Sequence, residues 1–301
     1  MTCLAPCTFL KSTKAAAFRE ELFGEQVSFV MEAHNALSAK IVEETGFRAI
    51  WASGLSMSAA LGVRDCNEAS WTQILDVLEF MSDATNIPIL VDGDTGFGNF
   101  NNARRLVRKL CDRNIAAVCI EDKLFPKTNS FLGENQPLAD VDEFAGKIAA
   151  CKDAQTNPDF SFIARTEALI SGHGLAEALR RAERYRLAGA DGIVIHSKSR
   201  TADEVLAFAA EWAGRAPLVI IPTTYHSTPT ELFEEAGISM VIWANHNLRS
   251  TIKALRDCCR AIARDRSLSA IEAHLPKVSD VFSLMDQSEL DLAEATYLPK
   301  H

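Results

Sequence analysis

Along the chain, short unbroken apolar runs alternate with stretches whose apolar residues return three and four positions apart. A run of the first kind reads as a buried strand, and the second pattern as one face of an amphipathic helix. The runs predict eight strands: Val27–Glu32, Arg48–Gly54, Ile89–Val91, Ala116–Glu121, Phe160–Arg165, Gly192–His196, Leu218–Pro222 and Ser239–Ala244. The helical spacing predicts Asn35–Glu44, Trp71–Phe80, Val141–Cys151, Ala176–Leu187, Glu204–Trp212 and Thr230–Glu235 between them. Another helix, opened by Asn99 or Asn101, carries Ala103, Leu106, Val107, Leu110 and Cys111 on one face. Lys14–Leu22 reads as a helix ahead of the first strand. A long helix from near Leu248 and a charged helical tail follow the last.

The joints echo one another. Gly46-Phe-Arg-Ala-Ile, Asn114-Ile-Ala-Ala-Val, Gly189-Ala-Asp-Gly-Ile and Gly237-Ile-Ser-Met-Val each set a helix-stopping residue ahead of an apolar strand. This is the repeat of βα units. Eight of them predict an α/β fold with a single (β/α)8 barrel over about residues 27–265. The remaining chain supplies extra N-terminal and C-terminal helices, the latter over about 266–301, and no linker divides the domain.

Composition narrows the function. A hydrophobic share of 48% suits a large core, and a net charge of −9 argues against nucleic-acid or anionic-membrane partners. No run reaches about 18 consecutive apolar residues, so no transmembrane helix is predicted. The first residues lack the basic and apolar regions of a signal peptide. The 8 cysteines form no CxxC pair, and those in apolar runs, such as Cys111 and Cys119, read as reduced core residues of a cytoplasmic protein.

The third strand carries the candidate chemistry. Ile89-Leu-Val-Asp-Gly-Asp-Thr-Gly-Phe-Gly-Asn-Phe ends a buried run in Asp92 and Asp94, and period-two geometry sends both carboxylates to one face. Paired acids are poor core material and suit a hard cation such as magnesium. Barrel active sites gather at the carboxyl ends of the strands. There the chain sets Trp51 and Ser53, Asp92 and Asp94, Glu121, Arg165, His196 with Ser197, and Asn245. The three acids make a magnesium shell completed by water, and Arg165, His196 and Ser197 make a corner for a phosphoryl or carboxylate group. Singly, each has a plainer role. Glu121 could pair with Lys123 or an arginine, Arg165 could be a cross-strand salt bridge, His196 could bond backbone, and Trp51 could be core. Their convergence on one rim favours a site for a small anionic metabolite.

The motifs Glu32-Ala-His-Asn, Trp51-Ala-Ser-Gly-Leu-Ser, Asp65-Cys-Asn-Glu-Ala-Ser-Trp and Asp92-Gly-Asp-Thr-Gly-Phe-Gly-Asn stand in this order. Glu121-Asp-Lys-Leu-Phe-Pro-Lys-Thr-Asn-Ser, Ile163-Ala-Arg-Thr-Glu-Ala, His196-Ser-Lys, Pro222-Thr-Thr-Tyr and Trp243-Ala-Asn-His-Asn-Leu-Arg follow. From about Glu32 to Lys300 the chain resembles the phosphoenolpyruvate mutase branch of the isocitrate lyase superfamily. The resemblance implies an isomerase that moves a phosphoryl group within one molecule, between phosphoenolpyruvate and phosphonopyruvate, for phosphonate biosynthesis. The superfamily's carbon–carbon lyases carry an acid/base cysteine in Lys-Arg-Cys-Gly-His after strand four. Here Lys127-Thr-Asn-Ser puts Asn129 in that place, and an amide does not exchange protons as a thiol does. The related phosphonopyruvate hydrolases carry Thr there, so a hydrolase is the nearest alternative and a lyase a remoter one.

By the same resemblance, Asp92 would hold Mg2+ directly, with Asp94 and Glu121 acting through water. Trp51, Asp65, Lys127, Asn129, Arg165 and His196 would be catalytic, with Asp65 either a transient phosphoryl acceptor or an electrostatic guide. Ser53, Gly54, Leu55, Ser130, Ser197 and Asn245 would bind the substrate. Leu124–Ser130 would be a lid, and the assembly a homotetramer of dimers exchanging C-terminal helices. Two departures stand out. Gly93 replaces a usual alanine, with no harm expected, and the segment after Ser130 is slightly shortened.

Overall fold

The computed structural model describes residues 13–132 and 136–299. In it the apolar runs pair in parallel, each with the next and the last with the first, closing an eight-stranded barrel. The strands are β1 (Ser28–Ala33), β2 (Ile50–Ala52), β3 (Ile89–Asp92), β4 (Ala117–Glu121), β5 (Ser161–Thr166), β6 (Gly192–Ile195), β7 (Leu218–Ile220) and β8 (Met240–Trp243). The helices are α1 (Lys14–Phe23), α2 (Ala36–Glu44), α3 (Gly54–Ala60), α4 (Trp71–Ala84), α5 (Phe100–Asp112) and α6 (Val141–Ala154). They continue as α7 (Gly174–Leu187), α8 (Asp203–Trp212), α9 (Glu231–Glu235), α10 (His246–Asp265), α11 (Val278–Leu284) and α12 (Gln287–Tyr297).

Two apolar layers hold the barrel. Its interior is filled by residues such as Val30, Trp51, Leu90, Cys119, Val194 and Ile242, with Phe18 and Leu22 of α1 in the same cluster. The outward strand faces pack against the helices, where α5 buries Ala103, Leu106, Val107 and Leu110. Asn99 is the residue that opens α5, accepting from the backbone of Asn101 and Asn102. The echoing joints share one conformation: Gly46, Asn114, Gly189 and Gly237 all have positive φ, the left-handed stop that ends a helix before a strand.

Two expectations change. The second strand ends at Ala52 rather than Gly54, because the Ser53 hydroxyl caps a helix, α3, that apolar spacing did not reveal. Of the described cysteines, only Cys119 and Cys151 are fully buried, while Cys66, Cys111 and Cys258 are half-buried and Cys259 exposed. The shortened segment after Ser130 lies partly outside the described residues.

The chain divides into two compact units, Met1–His246 and Asn247–His301. The first holds the barrel. Among its described residues the second buries none, and it exposes Leu255, Phe282, Met285, Leu292 and Tyr297. Among the described residues no helix is long and apolar enough to cross a membrane.

Candidate active site

At the carboxyl ends of the strands lies a cavity of about 50 Å³. Its wall takes Trp51, Ser53, Leu55, Asp65, Asp92, Glu121, Lys127, Asn129, Ser130, Arg165, His196 and Asn245 from the sequence expectations, and adds Phe131, Ile221, Thr223 and Ala244. Asp94 and Gly54 lie just behind it. A Cβ on Gly54 would stand 3.0 Å from Asp92 Oδ2 and 3.1 Å from Asp94 Oδ1, so any side chain there would press on both carboxylates.

Asp92 and Asp94 meet, but not by strand alternation. β3 ends at Asp92, and Asp94 sits in a left-handed turn with φ +50°, its N–H 3.3 Å from Asp92 Oδ1. The turn, rather than the pleat, aims the second carboxylate. Asn67 then clamps it: its side-chain amide donates to Asp94 Oδ2 at 2.7 Å and accepts from the Lys127 N–H at 2.8 Å.

Lys127 brings its ammonium among these acids, 2.7 Å from Asp65 and in contact with Asp94. Burial works against its charge, but Asp94, Asp92, Asp65 and Glu121 outweigh that and hold Lys127 protonated well above the usual lysine range. Burial also pushes the Asp94 carboxyl up to about 7, against the pull of Lys127. Asn129 donates to Asp65 Oδ2 at 2.6 Å, so two residues of the loop after β4 grip one carboxylate after β2.

The opposite wall is basic. Register sets Arg165 across from Glu121, 3.5 Å apart, and Arg165 Nε donates to Glu167 at 2.5 Å. Burial and the neighbouring Arg165 lower the His196 pKa, leaving the ring neutral. His196 Nδ1 lies 2.8 Å from Arg165 Nη2, a donor, and 2.9 Å from Glu167, an acceptor. One nitrogen cannot serve both at once. With Nδ1 accepting from Arg165, the proton sits on Nε2, which has no partner and is available to an oxyanion.

Ser197, like Asp94 and Gly54, is an expected residue that stays out of the cavity wall. Its hydroxyl donates to Glu204 of α8 and accepts from Ser199 N. Glu167, Lys123 and Asn67 were not singled out for the site. Glu167 had one available signal, its period-two relation to Arg165 on β5.

A divalent cation fits the donor set. Five carboxylates (Asp65, Asp92, Asp94, Glu121, Glu167) face three cations (Lys123, Lys127, Arg165), an excess that one such ion cancels. Glu121 Oε1 is buried without a hydrogen-bond partner, and so is Asn245 Oδ1. The donors are hard oxygens. Among the described residues, however, no three His, Cys, Asp or Glu side chains close into one cage.

Comparison with known proteins supplies the lineage. Residues 18–263 match the family model for phosphoenolpyruvate phosphomutase. The chain is 56% identical to the phosphoenolpyruvate phosphomutase of Tetrahymena pyriformis over 97% of its own length and 98% of the relative's. The crystal structure of the phosphoenolpyruvate phosphomutase of Streptomyces platensis subsp. rosaceus superposes with a TM-score of 0.93 at 43% identity, covering 95% and 99% of the two chains. A phosphonopyruvate hydrolase solved with oxalate and Mg++ gives 0.90 at 38% identity, covering 95% and 100%. The chain belongs to the phosphoenolpyruvate phosphomutase family.

Proposed function

We propose that this protein interconverts phosphoenolpyruvate and phosphonopyruvate, with Mg2+ bound at Asp92 and, through water, at Asp94 and Glu121. The observation that carries the reading is the pairing of an acidic wall with a basic one under a loop that presents Asn129. The related hydrolase solved with Mg++ supports the cation. The bond from phosphorus to the enol oxygen breaks and one from phosphorus to C3 forms; the electron pair left on oxygen becomes the C2 carbonyl, and no proton moves. Catalysis is therefore positioning and charge stabilisation.

Bound Mg2+ would supply positive charge to the enolate oxygen. Arg165 and neutral His196, through Nε2–H, would hold the phosphoryl oxygens while the group is loose, and Asn245 would add a polar contact. Trp51 would flank the enolate plane. Ser53, Gly54 and Leu55 would face the carboxylate, and Asp65, fixed by Lys127 and Asn129, would steer the phosphoryl group electrostatically. The lid residues exclude water, which would otherwise capture the phosphoryl group.

Phosphorus NMR with Mg2+ and phosphonopyruvate tests this. The phosphonate signal should convert to that of phosphoenolpyruvate without free phosphate. Steady phosphate release would make the protein a hydrolase instead.

The reading extends to organisation: one barrel domain with a C-terminal helical extension, in a cytoplasmic homotetramer. Support comes from the second unit, whose exposed apolar side chains call for a covering surface. Light scattering at the mass of one chain would overturn the tetramer.

A further inference from the structure

The Glu167 carboxylate is fully buried and lies outside the cavity wall, yet it touches both the basic wall and the lid. Three donors converge on it: Arg165 Nε at 2.5 Å, Ser130 Oγ at 2.7 Å and Lys123 Nζ at 3.1 Å. His196 Nδ1 lies 2.9 Å away. Its own backbone is pinned, since Glu167 N donates at 2.8 Å to Asp122, whose other oxygen accepts from Tyr185 at 2.6 Å and Arg181 at 3.1 Å.

Ser130 belongs to the loop that closes at the Lys123–Leu138 bridge. Its hydroxyl donates to Glu167 and accepts from Lys123 Nζ at 2.7 Å and Arg165 Nη2 at 3.0 Å. One proton and two lone pairs are all a hydroxyl has, so Ser130 is spent on this junction. Lys123 also donates to Thr128 O at 2.9 Å, and Gln136 to Asn129 O at 2.9 Å. Lifting the loop would strip Ser130 from the three buried charges it bonds, Glu167, Lys123 and Arg165, which is costly.

We propose that Glu167 is a positioning residue that latches the lid: one carboxylate holds Ser130 of the lid and Arg165 of the wall, and Arg165 in turn donates to His196, so closure and alignment are a single event. The latch rests on the mutase reading only for its catalytic consequence. Its ionised state agrees with the geometry, because Arg165 and Lys123 offset burial, and the Glu167 carboxyl lies well below the usual range.

The test compares wild type, Glu167→Gln and Ser130→Ala by amide hydrogen exchange and by turnover of phosphonopyruvate with Mg2+. Exchange across 128–132 should quicken about tenfold in both variants, with β3 and β6 unchanged. In Glu167→Gln, kcat should fall about 100-fold with KM changed less than about threefold, and a larger share of substrate should end as inorganic phosphate. The double variant should be no worse than Glu167→Gln. Lid exchange at the wild-type rate in folded Glu167→Gln overturns the latch. If that variant does not fold, wild-type lid exchange in Ser130→Ala overturns it. Faster lid exchange in both variants, together with a wild type that shows no mutase activity, would keep the latch and sink the mutase reading.

Discussion

Lys127 Nζ lies 2.7 Å from Asp65 Oδ1, so a cation carried by the lid neutralises a carboxylate carried by the loop after β2. The same ammonium contacts Asp94, and both partners are almost wholly buried. Lys127 therefore acts as a counter-ion to the acidic wall. Lys127→Met should destabilise the metal-free protein by about 3 kcal/mol, the cost of orphaning buried charge. Saturating Mg2+ should recover more stability in the variant than in wild type. Urea unfolding with and without Mg2+ measures both, and equal metal-free stabilities would refute the counter-ion role.

Asn129 ties the lid to the same carboxylate, donating to Asp65 Oδ2 at 2.6 Å while its oxygen accepts from Phe131 N at 3.0 Å. It touches none of the proposed Mg2+ ligands. Asn129→Ala should cut kcat about 100-fold or more, while calorimetric Mg2+ affinity stays within about twofold. Wild-type turnover in this variant would remove Asn129 from the mechanism.

The legibility of this fold in its sequence follows the range of the interactions. The barrel was readable because each strand and each helix stop is a local pattern: Ile89–Asp92 is an apolar run, and Gly189 or Asn114 takes a left-handed stop within a few residues. The acid wall was readable because Asp92 sits at a strand end. What escaped depends on contacts distant in sequence or on a turn. Asp94 is aimed by its positive φ, not by alternation. Ser197 looked like a rim residue, but Glu204, on the next helix, takes its hydroxyl. Glu167 matters because Ser130, far away in the chain, arrives beside it.

Gly93 also acquires a meaning that sequence did not give it. A Cβ there would stand 2.7 Å from Val118 Cγ2 and 3.0 Å from the Cys119 carbonyl, so this chain has closed over the place of the expected alanine. Gly93→Ala should cost about 1–3 kcal/mol as an overpacked core site. Adding Val118→Ala should relieve part of that, with a coupling of at least about 0.5 kcal/mol in a double-mutant cycle. Strict additivity in urea midpoints would show that Val118 is not the obstacle.

Acid should weaken the buttress behind the basic wall at one identifiable point. On α7, Arg181 reaches Asp122 and Tyr185 from one side and Glu177 at 2.7 Å from the other. Hydrogen bonds from Arg180, and then from Arg181, hold the Glu177 carboxyl down at about 2, with slight burial opposing them. A depressed carboxyl stabilises the fold above its ordinary pKa, and that stability is lost as pH falls towards the folded value. The window therefore runs from about pH 4.5 downward, the ordinary glutamate value being the upper edge. Because Glu177 is half-buried, with a quarter of its side chain exposed, screening limits the effect to about 1 kcal/mol or less. Glu177→Gln should thus be less stable than wild type at neutral pH by that amount, and the gap in urea unfolding should narrow as the pH drops below about 4.5. A gap that stays constant across this range, or widens in acid, would show that the pair contributes nothing through its charge and that Arg181 is held by Asp122 and Tyr185 alone.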